Sequence, residues 1–145
     1  MSRRTSITRA LVEKFKLIDG TYPYKSNIFN NAYSKLEFWD QVQDFPSVFA
    51  VSGAEAREYL PGNFTWGYLG ISLKVYCKGE NSDQMLEDLL EDIETVVDAN
   101  RVLLYDVENN YETTEILITS ITTDEGLLYP YAIGEMNLQV RYALQ

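Results

Sequence analysis

Trp66-Gly67-Tyr68-Leu69-Gly70-Ile71-Ser72-Leu73-Lys74-Val75-Tyr76-Cys77-Lys78 sets Leu69, Ile71, Leu73, Val75 and Cys77 in alternation with Tyr68, Ser72, Lys74, Tyr76 and Lys78. A period of two is the repeat of a β-strand, so this stretch reads as one strand with a buried face and a face that is wet or docked. After Gly79 the period changes. Leu86, Leu89, Leu90, Ile93, Val96 and Val97 fall on one face of a helix that Asn81 or Ser82 can cap and Asn100 can end at about Asp98.

Working outward, Ile7, Leu11, Phe15 and Ile18 draw an apolar stripe along an N-terminal helix, capped by Thr5 or Ser6 and stopped at Asp19-Gly20. Residues 21–39 read as extended segments and loop. Residues 47–52 form a short strand closed by Gly53, and Glu55 to Leu60 a second before the Pro61-Gly62 turn. Further strands are predicted at Val102 to Val107, Glu115 to Thr122 and Gly134 to Leu144, with turns at Asn109-Asn110 and Asp124-Glu125-Gly126. In the last strand Met136, Leu138, Val140 and Tyr142 alternate. The expected fold is α+β: a single domain over 1–145, with a mainly antiparallel (mixed) sheet and two helices packed on one face.

Composition closes several chemistries. With 46% hydrophobic residues in 145 the chain can bury a core. Its apolar runs fall well short of the roughly 20 residues that span a bilayer, and the basic start leads into no apolar signal core, so a cytosolic, unprocessed protein without a membrane partner is expected. Cys77 is the one cysteine and there is no histidine, so neither an intrachain disulfide nor a zinc site of the usual nitrogen and sulfur kind can be built. No G-x-S-x-G, S-x-x-K, G-x-G-x-x-G or G-x-x-x-x-G-K-[ST] occurs, so nucleophilic catalysis and phosphate cradling lack a signature. We therefore expect no enzyme, no cofactor, no metal and no catalytic residues. Cys77, on the apolar face of the central strand, reads as a small buried hydrophobe.

Charge is unevenly distributed. Residues 1–35 carry seven Lys/Arg against two acids, and residues 36–145 five against twenty. A net charge of −10 disfavours DNA binding, which needs phosphates neutralised by cations. Glu87, Asp88, Glu91, Asp92 and Glu94 read as an exposed acidic face on the second helix, with like charges at i, i+4 that each cost about 0.2–0.5 kcal/mol. The basic segment Arg3, Arg4, Arg9, Lys14 and Lys16 is the candidate complement on a neighbouring subunit, and such head-to-tail contacts close into rings. Aromatics are also in surplus, with Phe38, Trp39, Phe45, Phe49, Tyr59, Phe64, Trp66 and Tyr68 crowded together as core or contact residues.

Phe38-Trp39-Asp40, Asp44-Phe45-Pro46, Arg57-Glu58-Tyr59-Leu60-Pro61-Gly62 and Trp66 resemble the tail terminator proteins of long-tailed bacteriophages. The resemblance continues through Tyr76 to Gly79, the acidic helix, Thr123 to Gly126 and Gly134-Glu135-Met136, and so covers roughly residues 5–143. It implies an α+β virion protein that assembles, usually as a hexameric ring, on the last ring of a finished tail tube. The implied ring halts tube growth and offers a surface to the head connector, while DNA passes through its channel without specific binding. Assembly is implied in the host cytoplasm, and the final location at the head-tail junction. Candidate contact residues are Phe38, Trp39, Asp40, Phe45, Pro46, Arg57, Tyr59, Leu60, Pro61 and Trp66.

Three other readings compete. Another head-to-tail connector or tail completion ring would differ in its partners. An acidic DNA mimic would act as a monomer or dimer and inhibit a DNA-binding enzyme in a salt-sensitive way. A metal-carboxylate enzyme would show a metal-dependent activity lost in Asp88→Asn.

Overall fold

The computed structural model describes residues 1–144. Its elements run α1 (Arg3–Phe15), β1 (Ala32–Tyr33), β2 (Ser47–Leu60), β3 (Phe64–Lys78), α2 (Ser82–Ala99), β4 (Leu104–Asp106), β5 (Tyr111–Thr123) and β6 (Tyr131–Leu144). One six-stranded sheet has the order β1-β2-β3-β6-β5-β4, antiparallel except for the β1–β2 pair. It is therefore a mixed α+β fold, as expected.

The quoted strand is the centre of the sheet. Leu69, Ile71, Leu73, Val75 and Cys77 are all buried, and they meet Met136, Leu138, Val140 and Tyr142 of β6 on the same face. α2 lies over β3, β6 and β5. α1 packs against β1 and β2 at one side of the sheet and β4 at the other, so the sheet curls around the core and α1 closes the gap. All four residues of its predicted stripe, Ile7, Leu11, Phe15 and Ile18, are fully buried there. Each such side chain contributes about 1.5–3 kcal/mol of burial free energy.

Several boundaries differ from the sequence expectation. Ser2, not Thr5 or Ser6, caps α1, and its hydroxyl accepts the Thr5 amide. The helix starts earlier because Arg3 and Arg4 find acceptors in the backbone, the carbonyls of Ala143 and Gly53. It also ends earlier, at Phe15, while Ile18 stays in the core through a turn in which its amide bonds the Phe15 carbonyl. Residues 47–60 form one strand rather than two. A bulge between Ser52 and Glu55 absorbs the break at Gly53, because β3 offers a continuous ladder on its side. Strand β4 is shorter than predicted, since the Thr113 hydroxyl accepts the Leu103 amide and donates to the Arg101 carbonyl, leaving the Thr113 amide to Leu103 carbonyl bond as the backbone link there. Asn81 occupies the N-cap of α2 without a side-chain cap bond.

The reverse face of the sheet is half covered. Tyr76 on β3 and Phe49 on β2 are buried beneath the segment 37–46, which brings Val42, Trp39 and Phe45 against them. The Tyr76 hydroxyl donates to the Glu37 carbonyl at 2.7 Å and pins the segment. Toward the β2–β3 turn the face is bare, floored by Gly53, Ala54 and Gly70.

Cys77 is fully buried, and burial pushes its thiol up to about 12. The native protein is expected to resist a disulfide exchange reagent at pH 8 and to react once urea unfolds it. Stoichiometric labelling of the folded protein within minutes would contradict this packing.

Candidate functional site

The strand registers define two ends. Ser47, Lys78, Thr123 and Tyr131 lie at one end together with the loops 16–46, 79–81 and 124–130. Leu60, Phe64, Tyr111 and Leu144 lie at the other, with the β2–β3 turn and the segment 100–110. They are roughly 45 Å apart, the rise of a strand the length of β3.

The residues predicted as one contact motif divide between these ends. At the loop end, Trp39 stacks edge-on against Tyr131 at 5.1 Å and Phe45 packs on the same ring at 5.8 Å. The Lys78 ammonium stands over the Tyr131 ring at 4.9 Å. Trp39, Phe45 and the half-buried Pro46 therefore hold the 37–46 segment onto the sheet, whereas Phe38 and Asp40 face outward. At the turn end, Arg57, Tyr59, Leu60 and Pro61 are exposed on the β2–β3 arm, and Trp66 is half-buried. Phe64 packs edge-on against Trp66 at 4.8 Å, and the Arg141 guanidinium stands over that indole at 4.5 Å.

The root of the arm is fixed electrostatically. Arg57 bonds Glu55 at 2.9 Å, and the same carboxylate accepts the Tyr142 hydroxyl. Burial first, and then this hydrogen bond to Glu55, pushes the Tyr142 phenol well above its ordinary range, so it remains a donor.

The acidic face of α2 is narrower than its sequence suggests. Glu87 and Glu91 are exposed and Asp88 and Glu94 half-buried, but Asp92 is only 2% exposed. Its carboxylate accepts the Lys25 amide at 3.0 and 3.1 Å and the Ser26 amide at 2.7 Å, so the 19–31 loop is anchored to α2. Asp92 is thus an internal tether, a correction to its expected place on the surface. The physical reason is the loop, which folds back over the helix and supplies donors. Lys25 also reaches Glu91 at 2.7 Å and offsets part of the like-charge repulsion along the helix.

The basic segment divides in the same way. Arg3 lies over the Tyr111 ring at 4.5 Å and donates to the Ala143 carbonyl, and Arg4 donates to the Gly53 carbonyl. Arg9, Lys14 and Lys16 have no such backbone anchor. Sequence periodicity does not reveal these partners, and it equally missed Lys35, Tyr131 and Arg141. A surplus of aromatics near lone cations is the one signal that could have flagged Tyr131 and Arg141.

Across the described residues no three carboxylates or cysteines are grouped as a metal site, and no helix is long and apolar enough to cross a membrane. Comparison with known proteins gives a consistent answer. The model of a family described as bacteriophage tail tube terminator protein matches residues 1–145. The tail tube terminator protein p142 of Escherichia phage T5 is 38% identical over 152 residues, spanning 98% of this chain and 94% of that protein. A chain in the virion of a native gene transfer agent particle has the same fold, with a TM-score of 0.63 and 6% identity over 99% of this chain and 100% of its own. With an aligned core, an extended β2–β3 arm and the quoted aromatic segments all inside the matched region, this chain belongs to the bacteriophage tail tube terminator family.

Proposed function

We propose that copies of this chain close into a ring, a hexamer on the family resemblance, that caps a finished tail tube, stops its polymerisation and presents its far side to the head-joining protein. The observation that carries the reading is the two-ended placement of exposed apolar side chains. Phe29, Phe38 and Tyr129 stand out at the loop end, and Tyr59, Leu60, Leu104 and Val107 at the arm end. Exposed aromatic and aliphatic side chains grouped at an end in this way suit surfaces that partners cover. A cap needs two different axial partners, the tube below and the head connector above. Phe38 on one side and Tyr59 and Leu60 on the other are the contact residues in this reading.

DNA would pass through the ring without being held, since unneutralised carboxylates repel phosphates. The protein would then reside in the virion at the head-tail junction after assembly in the host cytoplasm. Electron microscopy of particles assembled with and without the protein tests the proposal. Overlong or headless tails in its absence are expected. Normal, joined particles without it would sink the reading.

A further inference from the structure

Positive charge is scarce on this chain and mostly engaged within it. Arg57 is held by Glu55, Lys25 by Glu91, Lys74 by Glu135 and Arg101 by Glu115, while Lys78 and Arg141 cover aromatic rings. Arg3 and Arg4 are bonded to the carbonyls of Ala143 and Gly53, and three of the other cations gather beside α1. There Arg9, Lys16 and Lys35 line a groove of about 440 Å³ between the helix and the β1 edge, beside Tyr33 and Glu13. Lys16 pairs with Glu13 at 2.9 Å and Lys35 with Glu37 at 3.8 Å, surface contacts that leave both ammonium groups open to a further carboxylate.

The flank on the α2 and β5 side has the opposite character. Asp83 and Glu87 of α2 stand beside Glu125 and Asp124 of the β5–β6 turn, Asp124 accepting the Leu128 and Ile133 amides, and among the described residues no Lys or Arg lines the cleft between them. The same flank exposes a strand edge. β4 pairs with β5 only at the first residues of β5, so among the described residues Glu115 to Thr123 has no partner strand on that side. From Ile116 to Thr123 this edge carries no charge, proline or glycine, and a single bulge near Ser120 is its one protective feature. Long uncharged edges of this kind invite pairing unless something covers them.

We infer that the β1 flank of one copy receives the α2–β5 flank of the next, with Arg9, Lys16 and Lys35 facing Asp83, Glu87, Asp124 and Glu125. The two patches lie on different flanks of one chain, so the contact is heterologous and propagates from copy to copy as a ring requires. This inference rests on the ring reading and gives it a lateral interface.

An equal mixture of unlabelled and nitrogen-15-labelled full-length chains, treated at low salt with a carbodiimide that joins lysine to carboxylate, tests it. Mixed-isotope links from Lys16 or Lys35 to Asp83, Glu87, Asp124 or Glu125 are expected. They should fall about tenfold in roughly 0.5 M salt, where charges are screened within a few ångströms. They should also fall in Lys16→Glu/Lys35→Glu, and return when that variant is mixed with Asp83→Lys/Glu87→Lys. Mixed-isotope links confined to other lysines would overturn this interface while leaving the ring standing. Links from Lys16 and Lys35 only to added tail tube protein would overturn it in the same way. A monomer by native mass spectrometry, alone and on tube ends, with no mixed links at all, would overturn both.

Discussion

Asp92→Ala is expected to cost about 3 kcal/mol of folding stability, the loss of a charged acceptor serving two part-buried amides at about 1.5 kcal/mol each. In the folded protein Asp92 is 2% exposed and its two oxygens take the amides of Lys25 and Ser26. Alanine removes the acceptor from both part-buried donors at once and frees the loop from the helix. For a domain of this size the melting temperature should fall by roughly 6–12 °C. Asp92→Asn, which keeps one acceptor oxygen, should fall in between. Amide exchange at Lys25 and Ser26 distinguishes release of the loop from general weakening: both should exchange early in Asp92→Ala while β3 stays protected. A melting shift below about 2 °C would show that the tether carries little.

Gly67→Val is expected to be comparably damaging, at about 3 kcal/mol, the upper part of the range for overpacking a core. Even a single Cβ at Gly67 would sit 2.8 Å from Cε1 and 3.1 Å from Cζ of Tyr142, and 3.2 Å from Leu144. The ring cannot swing aside, because Tyr142 is 1% exposed and its hydroxyl is tied to Glu55. The displacement would run through Glu55 to Arg57 and loosen the root of the arm. Urea unfolding of Gly67→Val, Tyr142→Leu and the double variant measures the clash. Once the ring is gone, the added penalty of valine should shrink by more than about 1 kcal/mol, the non-additivity expected of neighbours in contact. Strict additivity would mean that the backbone, not the ring, resists the side chain.

The contrast between Gly67 and its own strand shows where sequence reading stops. That β3 is a strand, and that Leu69 through Cys77 face inward, follows from local alternation. That Gly67 must lack a side chain follows from Tyr142, a residue 75 positions later brought alongside by the β3–β6 register. Asp92 is the same lesson on a helix. Its spacing from Asp88 and Glu87 looks like a solvated acidic face, and only the return of the 19–31 loop makes it an internal acceptor. The aromatic segments that carried the family resemblance were legible as a set, but not their division between a strap on the sheet and an exposed arm.

By itself the sequence determined the type of each long element, the apolar faces of α1, α2, β3 and β6 and the α+β class, because side-chain periods of two and 3.6 are set by local backbone geometry; the family resemblance rested on the quoted motifs instead. Only the tertiary structure decided which carboxylate on α2 is buried, which cations are anchored to backbone carbonyls, that residues 47–60 are one bulged strand, and that the candidate contact residues divide between two ends of the molecule. Those outcomes depend on which groups chain reversal brings within hydrogen-bonding distance, and neighbours separated by 65 to 140 positions leave no trace in local spacing.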